Sequence, residues 1–129
     1  DLLEKGYIPV VSTIGCDKQG NTYNINADTA AAYIAGALQA ESLINMTDTK
    51  GVLQDAADPD SLIVRLSLSD IPKLQESGVI TGGMIPKLEC CAHAVEKGAN
   101  RAFIIDGRVP HAILIEMLTD EGIGTMVTA

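Results

Sequence analysis

Apolar, β-branched runs alternate with helical patterns along the whole of this sequence, and no other feature limits its fold so strongly. Runs at 7–14, 22–25, 42–46, 62–66, 102–106 and 125–127 read as strands, and patterns at 27–39, 69–76, 84–97 and 110–118 as helices. Strands joined through helices need crossover connections, which lay helices on both faces of a sheet. The pattern therefore predicts an α/β protein, a three-layer αβα sandwich with a mainly parallel sheet, in one domain over 1–129. The punctuation agrees. Gly15 closes a first strand expected to be buried, 17–21 is a turn, and Asn26 and Ser69 stand where helix N-caps belong. Pro72 is tolerated in a first helical turn, 51–60 is loop, and Gly98 stops the longest helix.

Hydrophobic residues make up 47% of the chain but aromatics only 3%, so the core must be built from Ala, Val, Ile and Leu. The Ala-rich helix at 27–39 suits close packing on a sheet. Lys plus Arg number 9 against 17 Asp plus Glu, a net charge of −8. That balance argues against nucleic acid and against anionic membrane surfaces, both of which need a basic face. There is no apolar run of ~18 residues and no signal peptide, so no membrane role is expected. Cys16, Cys90 and Cys91 form neither an even framework nor a CxxC pair. They read as reduced, buried small hydrophobes of a cytoplasmic protein. The sequence opens on Asp1 without an initiator Met, which fits an excised domain.

Two segments carry most of the chemistry. Asn24-Ile25-Asn26-Ala27-Asp28 and Gly82-Gly83-Met84-Ile85-Pro86-Lys87 each put small or amide residues just ahead of a helical pattern. A helix N-terminus offers unpaired N–H groups and a positive dipole end, where phosphate oxygens can be held. A carboxylate and a lysine aimed at such a place are the minimum for phosphoryl transfer, which is mostly positioning and charge neutralisation. Ligands of parallel α/β sheets bind off the carboxyl ends of the strands. Thr47-Asp48 and Asp106-Gly107-Arg108 follow predicted strands and Asp28 opens a helix, so these residues are expected on one rim. Each also has a plain structural reading: Lys87 as surface lysine, Asp28 as a first-turn acid, Asn24 and Asn26 as turn and cap, Thr47-Asp48 as a turn. Asp106 and Arg108 read chiefly as a pair, and His111 as a helix-start residue. His93 and His111 have no ligand spacing, so no metal site is expected. Nothing resembles the elbow of a nucleophilic serine.

The two segments, together with Met46-Thr47-Asp48-Thr49-Lys50-Gly51-Val52-Leu53 and Ile104-Ile105-Asp106-Gly107-Arg108-Val109-Pro110-His111, resemble the N-acetyl-L-glutamate kinases of the amino acid kinase family. The similarity runs from about Tyr7 to Met126 and matches the C-terminal, nucleotide-binding part of such an enzyme only. The upstream substrate-binding lobe, with its glycine loops and a second phosphate-binding lysine, is not in the sequence. The resemblance implies ATP, with Mg²⁺ bound to the nucleotide, and N-acetyl-L-glutamate as acceptor, a step of arginine biosynthesis. It makes Lys87 and Asp28 catalytic, Lys87 neutralising the transferring phosphoryl group and Asp28 organising the lysines. It places Asn24 and Asn26 on the acyl-amino-acid substrate, and Thr47, Asp48, Gly83, Met84 and Lys87 on the nucleotide. Carbamate, aspartate or glutamate kinases of the same family, and a non-catalytic nucleotide- or effector-binding module, are the alternatives. The end of the chain is similar to arginine-inhibited members, which makes Glu116 and Gly122 an arginine effector site against a plain acidic helix end. Phe103 stands where many of those enzymes carry His. Homo-oligomerisation and a PII-type signalling partner follow by resemblance for the complete enzyme, whereas this portion alone is expected to bind nucleotide without full catalysis.

Overall fold

The computed structural model describes residues 1–129. A turn of 3-10 helix at Leu3–Lys5 comes first, and the regular elements follow in the order β1 (Ile14–Cys16), β2 (Thr22–Asn24), α1 (Ala27–Ala37), β3 (Leu43–Thr47), β4 (Arg65–Ser67), α2 (Asp70–Glu76), α3 (Met84–Glu96), β5 (Arg101–Asp106), α4 (Ala112–Leu118) and β6 (Thr125–Thr128). The main sheet has the order β3-β5-β6-β4. β3 with β5 and β4 with β6 are parallel, while β5 with β6 is antiparallel. The sheet is thus mainly parallel, with its one antiparallel pair at the centre.

β5 shows why the fold has three layers. Every residue from Ala102 to Asp106 is buried, and its side chains alternate between faces as a strand requires. Ala102 and Ile104 join Leu88, Cys91 and Val95 of α3 in the larger core. Phe103 and Ile105 point the other way, onto Ala112 and Met117 of α4. α3 has a second face, on which Cys90 and Ala94 meet Ala32 and Ala35 of α1. The small residues let these two helices approach so closely that a Cβ on Gly36 would stand 2.4 Å from the Lys97 Cβ. Burial pushes the Cys91 thiol up to about 12 and the Cys90 thiol to about 11. Both therefore behave as inert apolar groups. Gly98, at φ +119°, ends the turn after α3.

Several expectations are corrected. Residues 7–12 form no strand, and Ile8 and Val10 are 90% and 94% exposed. An apolar β-branched run becomes a buried strand only where a neighbour supplies ladder and cover, and none of the described elements does so here. Ile14–Cys16 instead pairs with Thr22–Asn24 in a separate antiparallel hairpin, and Cys16 is exposed. The strand expected at 62–66 lies three residues later, at Arg65–Ser67, because Leu62 bridges Leu53 instead. Ser69 occupies the N-cap position of α2 without capping it: its hydroxyl bonds that of Ser67 at 2.8 Å, and the Asp70 carboxylate accepts the Ser67 N–H at 3.1 Å.

Candidate active site

β3 and β5 run side by side and end together, Thr47 opposite Asp106. The Gly107 N–H donates to the Thr47 carbonyl at 2.8 Å, which ties the turn after β5 to the end of β3. Thr47 Oγ1 accepts the Thr49 N–H at 3.0 Å, a hydroxyl-closed turn that leaves Asp48 outermost. There it meets Lys87, which reaches across from the first turn of α3 with Nζ 3.4 Å from Asp48 Oδ1. Two segments 39 residues apart in sequence are brought to one point. The Lys87 side chain is only 23% exposed, against 81% for Asp48, so the ammonium is shielded while its partner is loose. The ion pair of Lys87 is with Asp48; Asp28 lies half-buried in the first turn of α1.

Just behind this rim Asp106 is 7% exposed and clasped by Arg108. Arg108 Nε and Nη2 donate to its two oxygens at 2.9 and 2.8 Å, and the Arg108 backbone N–H donates at 2.9 Å. These bonds from the Arg108 side chain and backbone hold the Asp106 carboxyl down to about 2.

The first turn of α3 divides two concavities. On one side a largely apolar cleft of about 400 Å³ is lined by Met84, Lys50, Val52, Leu53, Val79 and Thr81. On the other, a cleft of about 360 Å³ between α1 and α3 collects Asn26, Asp28, Glu89, Cys90 and His93. Tyr33 packs against His93 there with the rings tilted 57° to each other and centroids 4.6 Å apart. Asn26 caps α1, its Oδ1 accepting the Thr29 N–H at 3.0 Å. Asn24 is exposed on β2, opposite Ile14, and Gly83 is exposed at the N-cap position of α3.

The start of α3 departs from expectation. The Met84 and Ile85 N–H groups donate to the Thr81 and Gly82 carbonyls at 3.2 and 3.3 Å, and Pro86 has no N–H. The first donors of this helix are turned inward. What α3 offers an anion is its dipole end and the Lys87 ammonium, with no acidic residue in the first turn to oppose them.

At the opposite end of the sheet Glu116 and Gly122 do come together. Glu116 Oε2 accepts the Ile123 and Gly124 N–H groups at 2.7 and 2.9 Å, leaving Oε1 for any further partner. Gly122, at φ +63°, passes so close that an added Cβ would lie 3.0 Å from both carboxylate oxygens. Both residues line a concavity of about 210 Å³ with Arg65, Arg101 and Phe103.

The sequence marks Lys50, Val52 and Leu53 only as part of a family-like segment and reads 51–60 as loop, so it gives Val52 and Leu53 no place in the cleft. The signal was present: Val52-Leu53 is an apolar pair inside an otherwise polar segment, and Val52 is 1% exposed. Asp106 and Arg108 pair as the sequence suggests, but the position of Asp106 opposite Thr47 follows from the strand register.

The amino acid kinase family model matches residues 1–106, most of the chain, and takes in Thr47, Asp48, Lys87 and Asp106. The chain belongs to the amino acid kinase family. Among its relatives within that family are the acetylglutamate kinases of Brachyspira hyodysenteriae, 58% identical over 125 residues, and Methanococcus aeolicus, 52% identical over 127. These alignments cover 97% and 98% of this chain but 43% of each relative, so the chain spans less than half the length of the curated proteins it matches. Among solved structures, N-acetylglutamate synthase from Neisseria gonorrhoeae, complexed with coenzyme A and L-arginine, superposes with a TM-score of 0.86 at 30% identity, over 98% of this chain and 28% of that one. Carbamate kinase from Giardia lamblia, bound to AMP-PNP, shares the fold at 20% identity and TM-score 0.65, over 89% of this chain and 40% of that one. No helix is long and apolar enough to cross a membrane.

Proposed function

We propose that this chain is the nucleotide-side lobe of an enzyme that transfers the γ-phosphoryl group of ATP to the γ-carboxylate of N-acetyl-L-glutamate, a cytoplasmic step of arginine biosynthesis. The observation that carries the reading is the meeting of Lys87 and Asp48 beside the apolar cleft of Met84 and Val52. That cleft suits the flat apolar faces of a nucleotide base, and the rim beside it holds the charge that phosphates require. Identity above 50% to acetylglutamate kinases supports the acceptor, over carbamate, aspartate or glutamate.

In this reading Met84, Gly83, Thr47 and Asp48 hold the nucleotide. Lys87 places a fixed positive charge against the equatorial oxygens of the group in flight, where negative charge redistributes in the transition state. Asn24 and Asn26 meet the acyl-amino-acid, and Asp28 orients the lysines. Mg²⁺ bound to the nucleotide would supply further charge neutralisation at its phosphates beside Lys87. Arginine is the effector at Glu116 and Gly122, while oligomerisation and a PII-type partner belong to the complete gene product.

The test is phosphate transfer by the complete gene product carrying these residues, with N-acetyl-L-glutamate, carbamate, aspartate and glutamate compared side by side. Lys87→Ala is expected to lower kcat by ~10²-fold or more with a smaller effect on nucleotide affinity. An unchanged kcat returns Lys87 to the role of a surface lysine. Nucleotide binding without transfer to any of the four acceptors supports the non-catalytic module instead.

A further inference from the structure

A line of hydrogen bonds runs from α4 to the wall of the apolar cleft, and the chemistry above makes no use of it. Glu116 Oε2 accepts the Ile123 and Gly124 N–H groups at 2.7 and 2.9 Å, which fixes the turn that leads into β6. Gly124 lies against β5 with no room for a Cβ beside the Ile104 carbonyl. Thr125 comes next, the first residue of β6, opposite Ile104 and wholly buried. Its hydroxyl donates to the Ile63 carbonyl at 2.7 Å and accepts the Val52 N–H at 2.8 Å, so one side chain clamps 52 and 63 together. The Ile63 N–H closes the clamp on the Val52 carbonyl, also at 2.8 Å. Val52 and Leu53, held in this way, line the cleft that Met84 shares.

We propose that Glu116 is a positioning residue for the nucleotide: through the 123–124 turn it sets Thr125, and Thr125 sets the Val52-Leu53 wall of the cleft. Glu116 itself lines a different concavity, with Arg65 and Arg101. Element ends open first, and Thr125 begins β6, so its place depends on what holds the residues just before it. A carboxylate that accepts two backbone N–H groups is a strong tie, because an ionised acceptor makes the stronger bond. The wall touches the nucleotide before and during transfer alike, so loosening it weakens binding and spares turnover at saturation. The affinity arm of the test rests on the nucleotide-binding reading; a second arm does not.

In the complete gene product, Glu116→Ala is expected to raise Kd and KM for the nucleotide about fivefold or more, with kcat at saturation within about twofold. Glu116→Gln, which keeps an acceptor oxygen for the two N–H groups, should recover most of that affinity. The double variant Glu116→Ala/Thr125→Val should bind nucleotide about as weakly as Thr125→Val alone, since both act through one wall. Without any nucleotide, hydrogen exchange read by mass spectrometry should be several-fold faster for peptides spanning 50–54 in Glu116→Ala than in wild type or Glu116→Gln. Peptides of β3 and α3 should hold their rates. Gly122→Ala, whose Cβ would crowd both Glu116 carboxylate oxygens at 3.0 Å, loosens the same tie and serves if Glu116→Ala fails to fold by circular dichroism. A lower Tm with unchanged nucleotide affinity makes Glu116 a structural tie and overturns the proposal. So does a fall in kcat at unchanged KM, or exchange that rises equally in β3 and α3. Should the wild type bind no nucleotide while exchange at 50–54 still follows Glu116, the nucleotide reading fails and the link from Glu116 to Val52 stands.

Discussion

Thr125 offers a perturbation whose sign separates hydrogen bonding from burial. It is wholly buried, at 0% exposure, and its hydroxyl does two things at once. It donates to the Ile63 carbonyl at 2.7 Å and accepts the Val52 N–H at 2.8 Å. Thr125→Val keeps the shape and gains ~1 kcal/mol from exchanging hydroxyl for methyl. It also strands a buried donor and a carbonyl, at ~1.5–2.5 kcal/mol each. The balance is a loss of ~2–4 kcal/mol. Thr125→Ser keeps both bonds and gives up one methyl, ~1 kcal/mol with its small cavity. The more hydrophobic substitution should therefore be the more damaging. With an unfolding entropy of ~2.1 cal/mol/K per residue over 129 residues, each kcal/mol moves Tm by ~4 °C, so Thr125→Val should melt ~8–15 °C below wild type and Thr125→Ser ~4 °C below. Because Val52 lines the apolar cleft, Thr125→Val should also weaken nucleotide binding below its melting range. Differential scanning calorimetry of the pair decides it. If Thr125→Val matches or exceeds Thr125→Ser in stability, the two bonds are not what holds 51–53 onto β6.

Other outcomes follow from the same geometry. Gly36→Ala gains ~0.8–1 kcal/mol in helix propensity but sets a Cβ 2.4 Å from Lys97 Cβ and 3.3 Å from the Lys97 carbonyl carbon, an overpacking worth ~1–3 kcal/mol. A net loss near ~1 kcal/mol should show as a lower urea midpoint at unchanged m-value. Asp106 titrates at about 2 in the folded chain, below its ordinary 3.8, so its contribution to stability is complete above pH ~4 and is lost as pH falls through about 2. The stability gap between wild type and Arg108→Gln should accordingly close between pH ~4 and ~2 in acid-unfolding curves. If arginine is the effector, calorimetry on the complete gene product should show it binding, and Glu116→Gln should weaken it by ~1–3 kcal/mol with kcat unchanged. Silence at millimolar arginine would leave Glu116 as a tie between α4 and the turn at 122–124.

The layered α/β fold was legible because its signals are periodic: a strand buried on both faces, as 102–106 is, cannot be written without a continuous apolar run. Helix ends were legible where a side chain or glycine enforces them, as Asn26 and Gly98 do. Pairing was not legible. Nothing in Thr125-Met126-Val127 says that this strand runs antiparallel to β5, and nothing in 7–12 says that no partner waits for it. Of the site, the motif residues stood out, but Lys87 meeting Asp48 depends on a strand register and a helix start that residue types alone do not encode. The expectation of free N–H groups at α3 failed for a local reason, since Thr81 and Gly82 had already claimed them.

The placing of β6 between β5 and β4 has a consequence for how the chain is made. β4 touches the rest of the sheet only through β6, Leu66 opposite Val127, and β6 follows every other element in sequence. During synthesis β3, α3 and β5 can assemble as soon as they emerge, whereas β4 must wait until residues 125–128 have been read. Closing that long loop comes late and costs chain entropy before any contact rewards it. For that interval the buried side chain of Leu66 and the underside of α2 are open to water, so this is the stage at which chaperones and self-association compete with folding. Slow codons placed just before Thr125 should lower the soluble yield more than the same codons placed before β5.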